Sequence, residues 1–334
     1  MSGIPDDAVE AFRAAVGSRV LSPEGDVVLA EVAQQMALAA RGTLDGLVFF
    51  GSRRTGAAGI DAWSAYDVFV LVHRYRPFYE AMQRAGLSGK GPGRLALLSG
   101  WLPPTQYSIR FHEAAVHLKA AVIRTDSFHR ETSRGRRDHF CIGRLFQPVE
   151  VVWTRDAETA ERVLALLESA VRETAAWIHS STPETFTAEA YVHALLRVSL
   201  AGEIRPEPAS RAERLLDAQR DAVVPLYGEL LRDLESRGML VSNAEEEWRW
   251  ARPASAWESL RTRGYFLRSK IRATLRWSKY MITFEGWLDY LLRKIARHTG
   301  EQIVLSDRER RFPLVFLWPR FFRYLREKER RVSR

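Results

Sequence analysis

The residues in this chain with types and spacing suited to phosphate chemistry begin at Gly51-Ser52. They close a hydrophobic run, Leu47 to Phe50, and fifteen residues after Ser52 an aspartate, Asp67, opens a second run ending at Val72. Two strands joined in this way allow a defined chemistry. The N–H groups and hydroxyl of the turn meet triphosphate oxygens, while a carboxylate on the neighbouring strand holds Mg²⁺ against them. One metal with positioned donors, or two metals, then stabilises in-line displacement at the α-phosphorus. Sites of this kind usually carry Asp-x-Asp. Here the tripeptides are Ala65-Tyr66-Asp67 and Asp67-Val68-Phe69, one carboxylate short either way. The competing explanation is two strands joined by a glycine-containing loop with no chemistry.

Other motifs fail on spacing. In "HEAAVH" the histidines His112 and His117 are five apart, not four, and fall in a strand-like stretch, which argues against a zinc site. In "GLSGKGPG" Lys90 is followed by Gly91 in place of Ser or Thr, and no helix start is evident, so the segment reads as a loop. The eight histidines form no legible nucleophile-base arrangement.

The elements that must position Gly51 and Asp67 follow from hydrophobic periodicity. Residues 5–42 read as helical, with Val28, Leu29, Val32 and Met36 at helix spacing. "GLVFFGS", "YDVFVLV" and "YSIRFHEAAVHLKAAVIR" read as strands of a mixed sheet, with a helix "RPFYEAMQRAG" and the loop "LSGKGPGR" between the second and third. From about Arg155 helical patterns dominate. The expectation is an α+β chain with a boundary near 150–158: a domain over 1–155, a mainly helical one over 156–306 and a tail over 307–334.

Composition bounds the class. At 334 residues, 46% hydrophobic and 27% charged, the chain is globular and long enough for two domains. The single cysteine, Cys141, leaves no internal disulfide and fits a reducing compartment. The N-terminal "MSGIPDDAVEAF" lacks the pattern of a secretion signal, and no apolar run approaches the roughly 20 residues of a membrane span. The net charge of +9 is localised: residues 261–334 carry 20 Lys and Arg against 7 Asp and Glu, and the remainder is net acidic. Such a block points to an anionic partner, nucleic acid or membrane, against the plainer reading of a solvated basic face.

Three segments resemble the mitochondrial translocator assembly and maintenance family of CDP-diacylglycerol synthases and its bacterial relatives, within the nucleotidyltransferase superfamily. They are the Gly51-Ser52 turn with "YDVFVLV"; "LKAAVIRTDSFHRE" with "IGRLFQPVEVV"; and "VSLAGEIRPEPASRAERLLDAQRDAVVPLY", in the family's order over about 47–227. The single-Asp strand is similar to that family's own. Gln147 stands where the family usually has Lys, Glu203 where it has Asp, and Arg53 where it has a small residue.

The resemblance implies a nucleotidyltransferase-like mixed sheet with flanking helices, then a mainly helical, winged-helix-like domain. It implies transfer of a cytidylyl group from CTP to phosphatidate with Mg²⁺, at the cytoplasmic face of a membrane as a peripheral protein. By the same resemblance Gly51, Ser52, Arg53 and Arg205 bind nucleotide, Asp67 holds the metal, and Lys119 and Arg144 face substrate phosphates; a surface cation beside a strand is the plainer reading of the last two. Asp61, Glu113 and Asp126 are the candidates for a second carboxylate. A transferase acting on nucleic acid or a soluble acceptor is the rival; its second Asp and a nucleic-acid motif are missing, so no nucleic acid is expected. A non-catalytic nucleotide-binding protein of degenerate fold is the third reading.

Two basic segments bear on the membrane. In 265–282, Arg268, Arg272, Arg276 and Lys279 recur at helix spacing beside an apolar stripe of Leu267, Ile271 and Leu275. This suits either an anionic surface or the core of the helical region. In 312–331, Phe316, Trp318, Phe321, Phe322 and Arg323 lie among further arginines, a composition suited to membrane docking.

Overall fold

The computed structural model describes residues 6–20, 27–55, 65–111, 116–202, 210–283, 287, 288, 292 and 305–311. Helices α1 (Asp6–Val20) and α2 (Val27–Ala40) precede the sheet, and α2 buries Leu29, Val32, Ala33 and Met36 on one face. Strands β1 (Leu44–Phe50) and β2 (Tyr66–Val72) pair antiparallel, with Phe50 opposite Asp67. Helices α4 (Tyr75–Arg84) and α5 (Pro92–Trp101) lead to β3 (Thr105–Phe111) and β4 (Val116–Arg124); the one-turn α3 (Ser52–Thr55) follows β1. β4 lies parallel to β2, and β5 (Glu150–Thr154) pairs with the other side of β1. The order is β3-β4-β2-β1-β5, a mixed five-stranded sheet flanked by helices in an α+β chain.

Two local readings of the sequence are corrected. "YSIRFHEAAVHLKAAVIR" is two antiparallel strands, with Phe111 opposite Val116, and not one; the sequence between them, residues 112–115, contains no Gly, Pro or Asn to signal a break. "GPGRLALLSGW", read partly as loop, starts α5: Pro92 sits in its first turn, where its fixed φ suits a helix and its missing N–H is not needed.

The sheet is buried on both faces, which is why β1 and β2 are continuous hydrophobic runs. Val48, Phe50, Phe69, Leu71, Ala121 and Ile123 belong to one core, with α1, α6 (Thr125–Thr132), α8 (Ala157–Arg172), α10 (Ala188–Gly202) and α11 (Ser210–Ser236). Leu47, Phe49, Val68, Val70, Ala120 and Val122 belong to the other, with α2, α4 and α5. The first core joins residues on both sides of position 155 and continues to Leu240 and Trp248 in a two-stranded hairpin, β6 (Leu240–Ser242) with β7 (Trp248–Trp250). Between β4 and α10 lie the short helices α7 (Ile142–Leu145) and α9 (Ala175–Ile178); α12 (Ala256–Thr283) packs against β3 and α10. Among the described residues no helix is long and apolar enough to cross a membrane.

Candidate functional site

The site starts from the bend at Gly51. Its φ of +92° is a region that favours glycine, and a Cβ built there would stand 3.0 Å from Asp67 Oδ2 and 3.2 Å from Asp67 Cβ. The carboxylate thus lies in the space that a Cβ would take, and a side chain at position 51 would press on Asp67. The chain then turns into α3, with the Arg54 N–H donating to the Gly51 carbonyl at 3.0 Å.

Register carries the second charged group to the first. Lys119 on β4 lies beside Asp67 on β2, and its Nζ is 3.4 Å from Asp67 Oδ1, both side chains being partly buried. The carboxylate therefore divides its oxygens, Oδ1 toward a cation and Oδ2 toward the bend. Ser108 on β3 is opposite Lys119, and its hydroxyl is 2.8 Å from His117 Nε2. Across β2, β4 and β3 this row is polar, whereas Phe69 and Ala121, one step further along the same face, belong to the core. Sequence reasoning assigned no role to Ser108 or to His117; strand pairing, which brings them into the row, has no local signature.

Of the predicted arginines, Arg53 and Arg144 lie among the described residues. Arg53 stacks on the ring of Tyr66 at 3.9 Å, and Tyr66 packs on Phe49, on the face of the sheet opposite to Asp67. Arg54 Nε lies 3.4 Å from Glu150 Oε2, a largely buried carboxylate opposite Phe49 on β5. Arg144, on α7, stacks on Phe140 at 3.9 Å and donates to its carbonyl at 2.7 Å. Phe140 meets Phe69 edge-on, two residues along β2 from Asp67, so Arg144 stands on the side of the sheet that Asp67 faces. Gln147, where a lysine was the expected type, donates to the Gly143 carbonyl at 3.2 Å.

A Mg²⁺ bound mainly by phosphate oxygens and water needs one or two carboxylates from the protein, and Asp67, with an oxygen at the bend, would supply one. Among the described residues no group of three His, Cys, Asp or Glu side chains comes together. Asp126 is exposed in the first turn of α6, seven residues beyond Lys119 and past the far end of β4, on the order of 16 Å from it along the strand. That removes it as a second ligand. Asp61, Glu113, Glu203 and Arg205 lie outside the described residues, as do Phe316, Trp318, Phe321, Phe322 and Arg323. Lys90, on the segment read as a phosphate-loop lookalike, donates to the Ile282 carbonyl.

A second polar cluster holds α12 against this domain. Asp138 receives Arg272 Nε and Arg276 Nη2, both at 2.7 Å. Burial raises its pKa, but the Arg276 charge and the hydrogen bonds outweigh that and the net shift is downward. His139 is buried with Nδ1 3.1 Å from the Tyr265 hydroxyl and Nε2 3.1 Å from Ser199 Oγ; burial, then Arg136 and Arg144, push its pKa down to about 3. Lys279 donates to the carbonyls of Leu102 and Pro104 and to Thr105 Oγ1, and burial followed by Arg276 and Arg272 lowers its pKa to about 6. Gly202 admits the Phe266 ring where a Cβ would be 2.6 Å from it. The basic stripe of α12 therefore turns inward at Arg276 and Lys279, and the apolar stripe of Leu267, Ile271 and Leu275 turns outward.

No family model matches the chain, and a search of curated proteins finds no significant match.

Proposed function

We propose that the chain is a nucleotidyltransferase that joins CTP and phosphatidate, giving CDP-diacylglycerol and pyrophosphate at a membrane surface. The observation that carries nucleotidyl transfer is the Asp67 carboxylate packed on the Gly51 bend, with Lys119 beside it. The choice of CTP and phosphatidate rests on the sequence resemblance over 47–227. The mixed sheet supports a nucleotidyltransferase-like fold, and the β6–β7 hairpin following α11 supports a winged-helix-like second region.

In this reaction an oxygen of the lipid phosphate forms a bond to the α-phosphorus of CTP. The bond from that phosphorus to the bridging oxygen of pyrophosphate breaks, and pyrophosphate leaves with the electron pair. A phosphate monoester is already ionised near neutral pH, so the attacking group needs little general base. What the protein supplies is position and charge. The Gly51 turn admits phosphate oxygens close to the backbone, Lys119 neutralises charge beside Asp67, and Arg144 adds a cation on the same face. Mg²⁺, when bound at Asp67, supplies neutralisation of the triphosphate.

A second reading is a nucleotide-binding protein without transfer, favoured by the Lys119 ion pair that engages the Asp67 carboxylate. One assay separates them: radiolabelled CTP with Mg²⁺ and detergent-dispersed phosphatidate, followed by organic extraction. Label in the organic phase with wild type, abolished by Asp67→Asn, is the expected result. Label in polymer supports a nucleic-acid acceptor, and no transfer from CTP supports the binding protein.

A further inference from the structure

A surface helix ordinarily turns its apolar residues inward; α12 does so at Phe266 and Tyr280 but also carries an apolar stripe on its outer side. Its inner side is fastened by polar groups: Arg272 and Arg276 on Asp138, Lys279 on carbonyls after α5, and Thr283 Oγ1 donating to the Gln106 carbonyl at 2.7 Å. Its outer side carries Leu260, Leu267 and Ile271, which are 59%, 63% and 55% exposed, with Trp257, Leu275 and Ile282 extending the stripe to both ends. Of the thirteen exposed large hydrophobics among the described residues, six are on this helix, so the exposure is a property of one face and not scattered.

The residues flanking that face are cationic. Arg263 and Lys270, seven apart, line one flank, and Arg261 and Arg268, also seven apart, line the other; all four are exposed. From Ser259 to Thr283 there is no Asp or Glu. We propose that this face of α12 is a docking surface for an anionic lipid bilayer, with the helix lying in the plane of the interface. The leucines and isoleucine enter the boundary between headgroups and acyl chains, and Arg263 and Lys270 on one side and Arg261 on the other reach lipid phosphates, while Arg268 donates from Nη2 to the Arg136 carbonyl at 3.2 Å. Charge decides against the other occupants. A second copy of the same face would bring arginine against arginine, and a nucleic-acid backbone would meet hydrocarbon at the centre, where it needs cations.

The surface rests on the transferase reading only in that the lipid substrate lies in the same bilayer. Its test therefore omits CTP and phosphatidate. Cys141, the single native thiol, is 1% exposed, so Ile271→Cys in the full chain gives one reactive site for an environment-sensitive dye. The dye should brighten and shift to the blue on vesicles of phosphatidylcholine mixed with phosphatidylglycerol, not on phosphatidylcholine alone, and the shift should fall away in about 1 M salt. Leu267→Glu with Ile271→Glu, both at exposed positions, should weaken co-sedimentation with the same anionic vesicles about tenfold or more, with unchanged circular dichroism. An unresponsive dye overturns the proposal, as does undiminished vesicle binding by the double variant. A dye already blue-shifted without vesicles overturns it too, since another part of the chain or a second copy then covers the face.

Discussion

Gly51 meets two requirements at once, a backbone conformation that L side chains rarely adopt and an absent Cβ where the Asp67 carboxylate lies. Gly51→Ala should therefore cost about 1–2 kcal/mol of stability in denaturant titrations and weaken CTP binding in calorimetry, because the methyl group pushes the carboxylate aside. A variant as stable as wild type with unchanged CTP affinity would contradict that account. His139 makes a separate prediction. Its pKa is about 3 in the folded state against 6.5 unfolded, so between these values the unfolded chain takes up a proton that the folded one does not. Stability should fall as pH drops below about 6.5, by about 1.4 kcal/mol per pH unit, and His139→Gln should flatten that slope in urea titrations.

At the scale of elements, α12 depends on Asp138, which neutralises two arginines at a largely buried position. Asp138→Asn leaves Arg276 buried and uncompensated and should cost about 3–5 kcal/mol by thermal or denaturant unfolding. Because the folded pKa of Asp138 lies below its unfolded value of 3.8, its contribution is present above that pH and is lost as pH falls through the folded pKa. Wild type should therefore lose this increment only in strong acid, and the variant at every pH. The two sheet strands at the bend, the helix at 75–84 and the long helix at 157–172 were legible because their hydrophobic periods are unbroken. The pairing of Lys119 with Asp67 follows from parallel register, which no local pattern states. Nor did spacing tell which side of α12 faces in: basic and apolar residues both recur at helix period, and the choice is made by Asp138, more than a hundred residues away.

For the whole molecule, the core on one face of the sheet draws on α8, α10 and α11 as well as on β1, β2 and β4. A chain ending at residue 155 would uncover Phe69, Phe128 and Ile142, and should show no cooperative thermal transition by circular dichroism. The full chain should unfold over its described part in one calorimetric transition; two well-separated transitions would mean that the sheet and the later helices are energetically independent. The position of α12 has one further consequence. β3 is an outer strand, and the helix packs along it with Thr283 bonded to the carbonyl of Gln106. The rim of the sheet is thereby withheld from any polypeptide seeking a strand to join, and peeling the helix away would convert that rim into a seed for self-assembly.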